Sequence, residues 1–123
     1  MDYRDLIAYQ KAFRLAMRIF EISKSFPPEE RYSLTDQIRR SSRSVCTNIA
    51  EGYRKRNYPA HFKSKFSDSD MENAETQVWL NFALSCRYIS DLQFGELDQE
   101  IVEIGKLIGY MMANPEKFGV RKV

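Results

Sequence analysis

Between Ser33 and Arg56 the sequence SLTDQIRRSSRSVCTNIAEGYRKR combines a helical apolar period, many small residues and the densest positive charge in the chain. At about 100° per residue, Leu34, Ile38, Ser42, Val45, Ile49 and Tyr53 share one arc, with Gly52 at its edge. That arc predicts a helix over 33–55 with one buried face. Arg39, Arg40, Arg43 and Arg54 gather opposite, while Gln37, Asn48, Glu51 and Lys55 line a polar flank. Asp36 is spaced to pair with Arg39 and Arg40, and Glu51 with Arg54 and Lys55. Arg43 has only like charges one turn back, a destabilising arrangement on an isolated helix. An anion from elsewhere, or a carboxylate of a neighbouring subunit, would relieve it. The plainer reading of such a charge block is a solvated face.

Three further helices are expected around this one. The first runs over 5–25, opened by Asp5 as N-cap and stopped by Phe26-Pro27-Pro28, with Leu6, Tyr9, Phe13, Ala16 and Phe20 as its seam and Lys11, Arg14 and Arg18 outside. Ser33, with Asp36 three residues on, resembles a capping box for the second. The third spans 60–90 with Phe62, Phe66, Met71, Ala74, Val78, Phe82 and Ile89 as its stripe. Trp79, Leu80 and Leu84 make that stripe wider than one buried side requires, which implies subunit contact. Its acidic middle, with Asp68, Asp70, Glu72 and Glu75, suits the basic face of a neighbouring second helix. The fourth spans 97–112 with Leu97, Ile101, Ile104, Ile108 and Met111 inward, and Gly105 and Gly109 at a close helix contact. Small side chains at Ser41, Ser42 and Ser44 likewise favour close packing, and the tail from Glu116 onward is expected to be loose. Four helices with short connections give an all-α, antiparallel, up-down-up-down four-helix bundle in a single domain.

Composition narrows the functional classes. With 123 residues, 43% hydrophobic and 29% charged, the chain can bury one core. No apolar run approaches the ~18 residues of a membrane span, and MDYRDLIAYQ lacks a signal peptide's pattern, so a cytoplasmic location without membrane contact is expected. Cys46 and Cys86, far apart and without histidine neighbours, are expected as buried thiols rather than metal ligands. The net charge of +2 is small, but residues 27–58 hold seven Lys or Arg against four acids, and residues 59–123 hold seven against ten. That asymmetry favours a basic patch or charge-complementary self-association.

Catalytic chemistry finds little support. A di-iron bundle needs Glu-x-x-His pairs, and the one histidine, His61, has no acid three residues before it. No phosphate loop, zinc motif or nucleophile with a marked base is present, so no catalytic residue, metal or cofactor is expected. Nucleic-acid binding is better served. Tyr53, Arg54, Lys55, Arg56, Tyr58, His61, Lys63 and Lys65 interleave cations and aromatics across the turn after the second helix.

Phe26-Pro27, Leu34-Thr35-x-Gln37-Ile38-Arg39-Arg40, and Ser44 with Asn48-Ile49-Ala50-Glu51-Gly52 together resemble the signature of the 23S rRNA intervening sequence proteins, with weaker similarity over nearly the whole chain. Ser33, Ser44-Val45-Cys46-Thr47 and Ser69-Asp70-Met71 depart from that pattern. The resemblance implies a bacterial four-helix bundle that forms a homopentamer without catalytic activity, similar to the accessory proteins of diversity-generating retroelements, which bind nucleic acid and a reverse transcriptase. Gln37, Arg39, Arg40, Asn48, Glu51 and Gly52 are its signature positions. The sequence thus leads to a non-enzymatic, oligomeric nucleic-acid-binding or adaptor protein, with Arg39, Arg40, Arg43, Arg54, Lys55 and Arg56 meeting phosphates of RNA or DNA. Its rival is a structural, protein-interaction scaffold whose arginines meet the acidic helix of a neighbour.

Overall fold

The computed structural model describes residues 1–121. Four helices carry the fold: α1 (Ile7–Ser23), α2 (Leu34–Arg54), α3 (Pro59–Ser85) and α4 (Asp91–Ala113). Single 3₁₀ turns stand at Tyr3–Asp5, Pro28–Glu30 and Pro115–Phe118, and no strand occurs among the described residues. The molecule is a four-helix bundle, as the periodicity indicates.

The helix ends differ from expectation because other side chains supply the caps. Asp2 and Asp5 form a capping box around the first 3₁₀ turn, so α1 begins only at Ile7. Ser33 does not cap α2. Its hydroxyl instead donates to Glu30 Oε1 at 2.6 Å, and that oxygen also faces the Leu34 amide at 3.4 Å. An acid of the preceding turn therefore satisfies the helix start, where a carboxylate is also favoured by the helix dipole. The third helix ends at Ser85 rather than near residue 90, and Arg87 follows with φ 62°, a left-handed conformation unfavourable for a residue bearing a Cβ. Ser90 and Gln93 form a complete capping box, which starts α4 at Asp91 instead of 97.

The core also departs from the expected seams. Along α1 the buried residues are Ala8, Ala12, Leu15, Ala16, Ile19 and Ser23, while Tyr9 and Phe20 are half-buried and Phe13 is 51% exposed. Small alanines line the interior, and the aromatics flank it. On α2 the expected arc is buried: Leu34, Ile38, Ser42, Val45, Ile49, Gly52 and Tyr53. The inward face of α3 is Phe62, Phe66, Ser69, Asn73, Thr76, Leu80 and Ala83, alternating four and three residues. Its middle is polar. The expected stripe of Met71, Ala74, Val78 and Phe82 points outward, with exposures of 60%, 48% and 55% for Met71, Val78 and Phe82. Apolar count alone favoured that stripe, but the four–three spacing from Phe62 and Phe66 is what one buried face requires.

Polar contacts hold the buried layer together. The hydroxyls of Thr76 and Ser41 lie 2.8 Å apart in a hydrogen bond, Ser69 donates to the Val45 carbonyl at 2.9 Å, and Asn73 Nδ2 donates to the Ile101 carbonyl at 2.9 Å. On α2 and α3, position 41 meets 76, 45 meets 69 and 52 meets 66. Between α3 and α4, Gln77 Nε2 donates to Asp98 Oδ1 at 2.8 Å. Lys11 pairs with Glu103 at 3.2 Å and Arg18 with Glu100, joining α1 to α4.

Smaller expectations change as well. Neither glycine of α4 marks the expected close contact: a Cβ on Gly105 would stand 3.5 Å from Asn73 Nδ2, an ordinary van der Waals distance, and Gly109 faces open space. Residues 116–120 are not loose: Pro115–Phe118 form a turn and Val120 is buried; Lys122 and Val123 lie outside the described residues. Cys46 is buried, and burial pushes its thiol up to about 12, but Cys86 is exposed rather than buried.

Candidate nucleic-acid interface

The outward face of α2 separates the six candidate cations into three environments. Arg39 and Arg43 lean toward α1, where both guanidinium groups lie over the Phe20 ring, at 4.8 and 5.6 Å from its centroid. Arg39 also donates from Nε to Ser23 Oγ at 2.7 Å. Such stacking can contribute roughly 0.5–1 kcal/mol at an exposed site. It explains how α2 tolerates Arg43 near Arg39 and Arg40, with no carboxylate within 4.0 Å of it among the described residues. Arg40 leans the other way, toward α3, and approaches Asp36 at 3.9 Å in an exposed pair that adds little stability.

Arg54, Lys55 and Arg56 occupy the end of α2 and the turn that follows. Among the described residues none of the three has a carboxylate within 4.0 Å. Arg56 is held in place: its guanidinium lies 3.8 Å from the Tyr53 ring centroid and donates to the Tyr53 carbonyl at 3.1 Å. Lys55 stands 5.7 Å from the Tyr58 ring, and Arg54 is exposed. Arg54 and Arg56, with Tyr53, Asp2, Tyr3 and Arg4, line an open cleft of about 460 Å³ at this end of the bundle. Asp2 is already engaged there by Arg4 at 2.7 Å, and the hydrogen bonds from Arg4 hold its carboxyl down at about 2. The cleft is therefore fixed in charge and rich in guanidinium groups, a setting suited to a phosphate.

The remaining signature residues have structural placements. Gly52 lies beneath Phe66: a Cβ there would stand 2.8 Å from two of its ring carbons. Glu51 does not pair with Arg54 or Lys55 but reaches Lys65 on α3 at 3.1 Å. Asn48 Nδ2 donates to the Ser44 carbonyl at 2.9 Å. Gln37 lies with Arg40, Ser41, Ser44, Glu72 and Glu75 along the groove between α2 and α3. Burial, then the charge of Glu75, raises the Glu72 carboxyl above its ordinary value. His61 is exposed, its ring centroid 6.0 Å from that of Tyr58 in an edge-on arrangement.

Sequence reasoning missed Phe20 as the platform for two arginines, because it was assigned to the α1 seam. It also missed Glu30, whose carboxylate accepts from Ser33 and, at 2.8 Å, from the Tyr88 hydroxyl. An acid three residues before Ser33 was the available signal. No helix among the described residues is long and apolar enough to cross a membrane.

Comparison with known proteins agrees with this architecture. The crystal structure of a protein of unknown function from the S23 ribosomal protein family of Bacteroides thetaiotaomicron VPI-5482 is similar, with a TM-score of 0.79 and 27% identity, covering 87% of this chain and 96% of that one. No curated protein sequence matches the chain. Residues 4–110, which include all four helices up to Tyr110 and every signature position, match the 23S rRNA-intervening sequence proteins, and the chain belongs to that family.

Proposed function

We propose that this protein is a non-enzymatic, homo-oligomeric nucleic-acid-binding or adaptor protein whose binding surface is the basic end of α2. The observation that carries this reading is the cluster of Arg54, Lys55 and Arg56, with no carboxylate within 4.0 Å among the described residues, beside the aromatic rings of Tyr53 and Tyr58. Unneutralised cations favour a polyanion through counterion release, and flanking rings suit unpaired bases. Arg39 and Arg40 contribute less in this reading, since one is fixed by Ser23 and Phe20 and the other leans toward Asp36.

The bundle in this reading is antiparallel, because contacting positions on α2 and α3 run in opposite numerical order. Five copies form a ring and repeat the basic end five times, so weak single sites gain avidity. A reverse transcriptase, or another protein, would be the further partner of a nucleic-acid adaptor of the retroelement type. The rival reading is a scaffold without nucleic acid, favoured by the acids of α3, which form no ion pair among the described residues.

Fluorescence anisotropy with labelled RNA and DNA oligonucleotides, at about 50 and 200 mM salt, separates the two. Binding that weakens steeply with salt supports the proposal. No binding at the lower salt by an assembled oligomer would overturn it.

A further inference from the structure

The outward face of α3 and the α1 edge beside α2 carry complementary features that cannot meet within one chain. On α3, Met71, Val78 and Phe82 are 60%, 48% and 55% exposed. On α1, Phe13 and Met17 are 51% and 46% exposed, and Arg43 of α2 lies against Phe20 on the same side. On each helix these exposed apolar side chains recur at four- or seven-residue spacing, so they share one face rather than being scattered.

We infer that these two faces bind each other between copies of this chain, Phe13, Met17 and Arg43 of one copy docking on Met71, Val78, Phe82 and Glu75 of the next. The inference rests on the homo-oligomeric reading above and names the surfaces that make the oligomer. Charge selects the occupant. The α3 face carries Asp68, Glu72 and Glu75, none in an ion pair among the described residues, and Glu75 accepts only from its own helix, from Trp79 Nε1 at 3.3 Å. Arg40 borders the same groove yet approaches Asp36, not these acids. A nucleic acid is repelled by that face. A basic, apolar edge fits it, and the chain itself presents one at Arg43, whose guanidinium has no carboxylate within 4.0 Å among the described residues. Burial and its acidic neighbours raise the Glu72 carboxyl, an imbalance that an incoming guanidinium removes.

The two patches are different surfaces, so each copy can offer one to a preceding neighbour and the other to a following one, a head-to-tail arrangement. Repeating it generates a ring if the rotation closes. It also leaves the Arg54 end of α2 outside the contact, available on every copy.

The test is solution mass by light scattering and sedimentation for the wild-type chain, Arg43→Glu, Glu75→Arg, and the double variant. Both positions lie at the surface, and circular dichroism checks that each variant keeps its helix content. The expected result is an assembled wild type, each single variant weakened in assembly by about tenfold or more because like charges now face each other, and recovery in the double variant. Phe82→Ser, an exposed apolar change, should weaken assembly without unfolding the chain. An assembled wild type whose single variants stay fully assembled, or whose double variant does not recover, overturns this pairing while leaving the oligomer. A wild type that is monomeric at all concentrations overturns both the pairing and the oligomeric reading.

Discussion

One edge of the Phe66 ring lies over Gly52: two of its ring carbons stand 2.8 Å from where a Cβ would project, and Lys65 Cβ is 3.0 Å from that point. Glycine in a helix ordinarily costs about 0.8–1.0 kcal/mol relative to alanine. Here the ring is fully buried and packed on Phe62 at 4.5 Å between centroids, so it has no free direction to move. Gly52→Ala should therefore destabilise, by roughly 1–3 kcal/mol from overpacking. Urea denaturation gives the sign directly; an unchanged or raised midpoint would show that α2 and α3 part more easily than this contact implies.

Asn73 offers the opposite case. Its Nδ2 donates to the Ile101 carbonyl, but its buried Oδ1 has no hydrogen-bond partner among the described residues. A stranded buried acceptor costs about 1–3 kcal/mol. Asn73→Leu, similar in size, should raise the denaturation midpoint by an amount equivalent to ~1 kcal/mol. A lowered midpoint would mean that the oxygen is satisfied in solution.

The Glu30–Tyr88 hydrogen bond sets a pH window. Hydrogen bonds from the Ser33 and Tyr88 hydroxyls hold the Glu30 carboxyl below its ordinary 4.5. A depressed carboxyl contributes stability that is complete above 4.5 and is lost as pH falls through the lower folded value. The same bond pushes the Tyr88 phenol up to about 12 from 10.0, so that contribution is present below 10.0 and is lost as pH rises toward 12. Tyr88→Phe should melt a few degrees lower than wild type at pH 7, with the gap narrowing at both extremes. Thermal melts across pH check both edges.

For the basic end, Arg54→Gln combined with Lys55→Gln removes two cations that have no ion pair among the described residues without touching the core, since both side chains are exposed. The slope of log binding constant against log salt should become shallower by about 1.4–1.8, from about 0.7 to 0.9 per phosphate contact. Affinity should fall uniformly across sequences. A slope identical to wild type would move the phosphate contacts to other residues.

The second helix was legible because its period and its burial agree: Ile38, Val45, Ile49 and Tyr53 are both apolar and inward. The fourth was legible in its seam, and its start was misplaced only because Ser90 and Gln93 were not recognised as a cap. The first helix misled by size, since Ala8 and Ala12 are buried while the larger Phe13 is exposed. The third misled by polarity, with Ser69, Asn73 and Thr76 inside and Met71 and Val78 outside. As for the candidate site, the charges of Arg39 and Arg43 were readable, but their placement on Phe20 depends on how α1 packs beside α2, which neither helix encodes alone.

The inverted middle of α3 bears on how the chain reaches its native state. Rotating that helix by about half a turn would bring Met71, Val78 and Phe82 inward and turn Ser69, Asn73 and Thr76 toward water, but it would also expose Phe62, Phe66 and Leu80 and carry Glu75 inward, so the apolar gain at the middle is offset toward the ends. The hydroxyls of Ser41 and Thr76, and the notch at Gly52 that receives Phe66, act as keys that only one rotation satisfies. Selection between the two settings thus rests on the apolar ends of the inward face together with directional bonds and shape, and refolding should be slowed by changes that blunt the middle keys as well as by changes at Phe66 or Leu80.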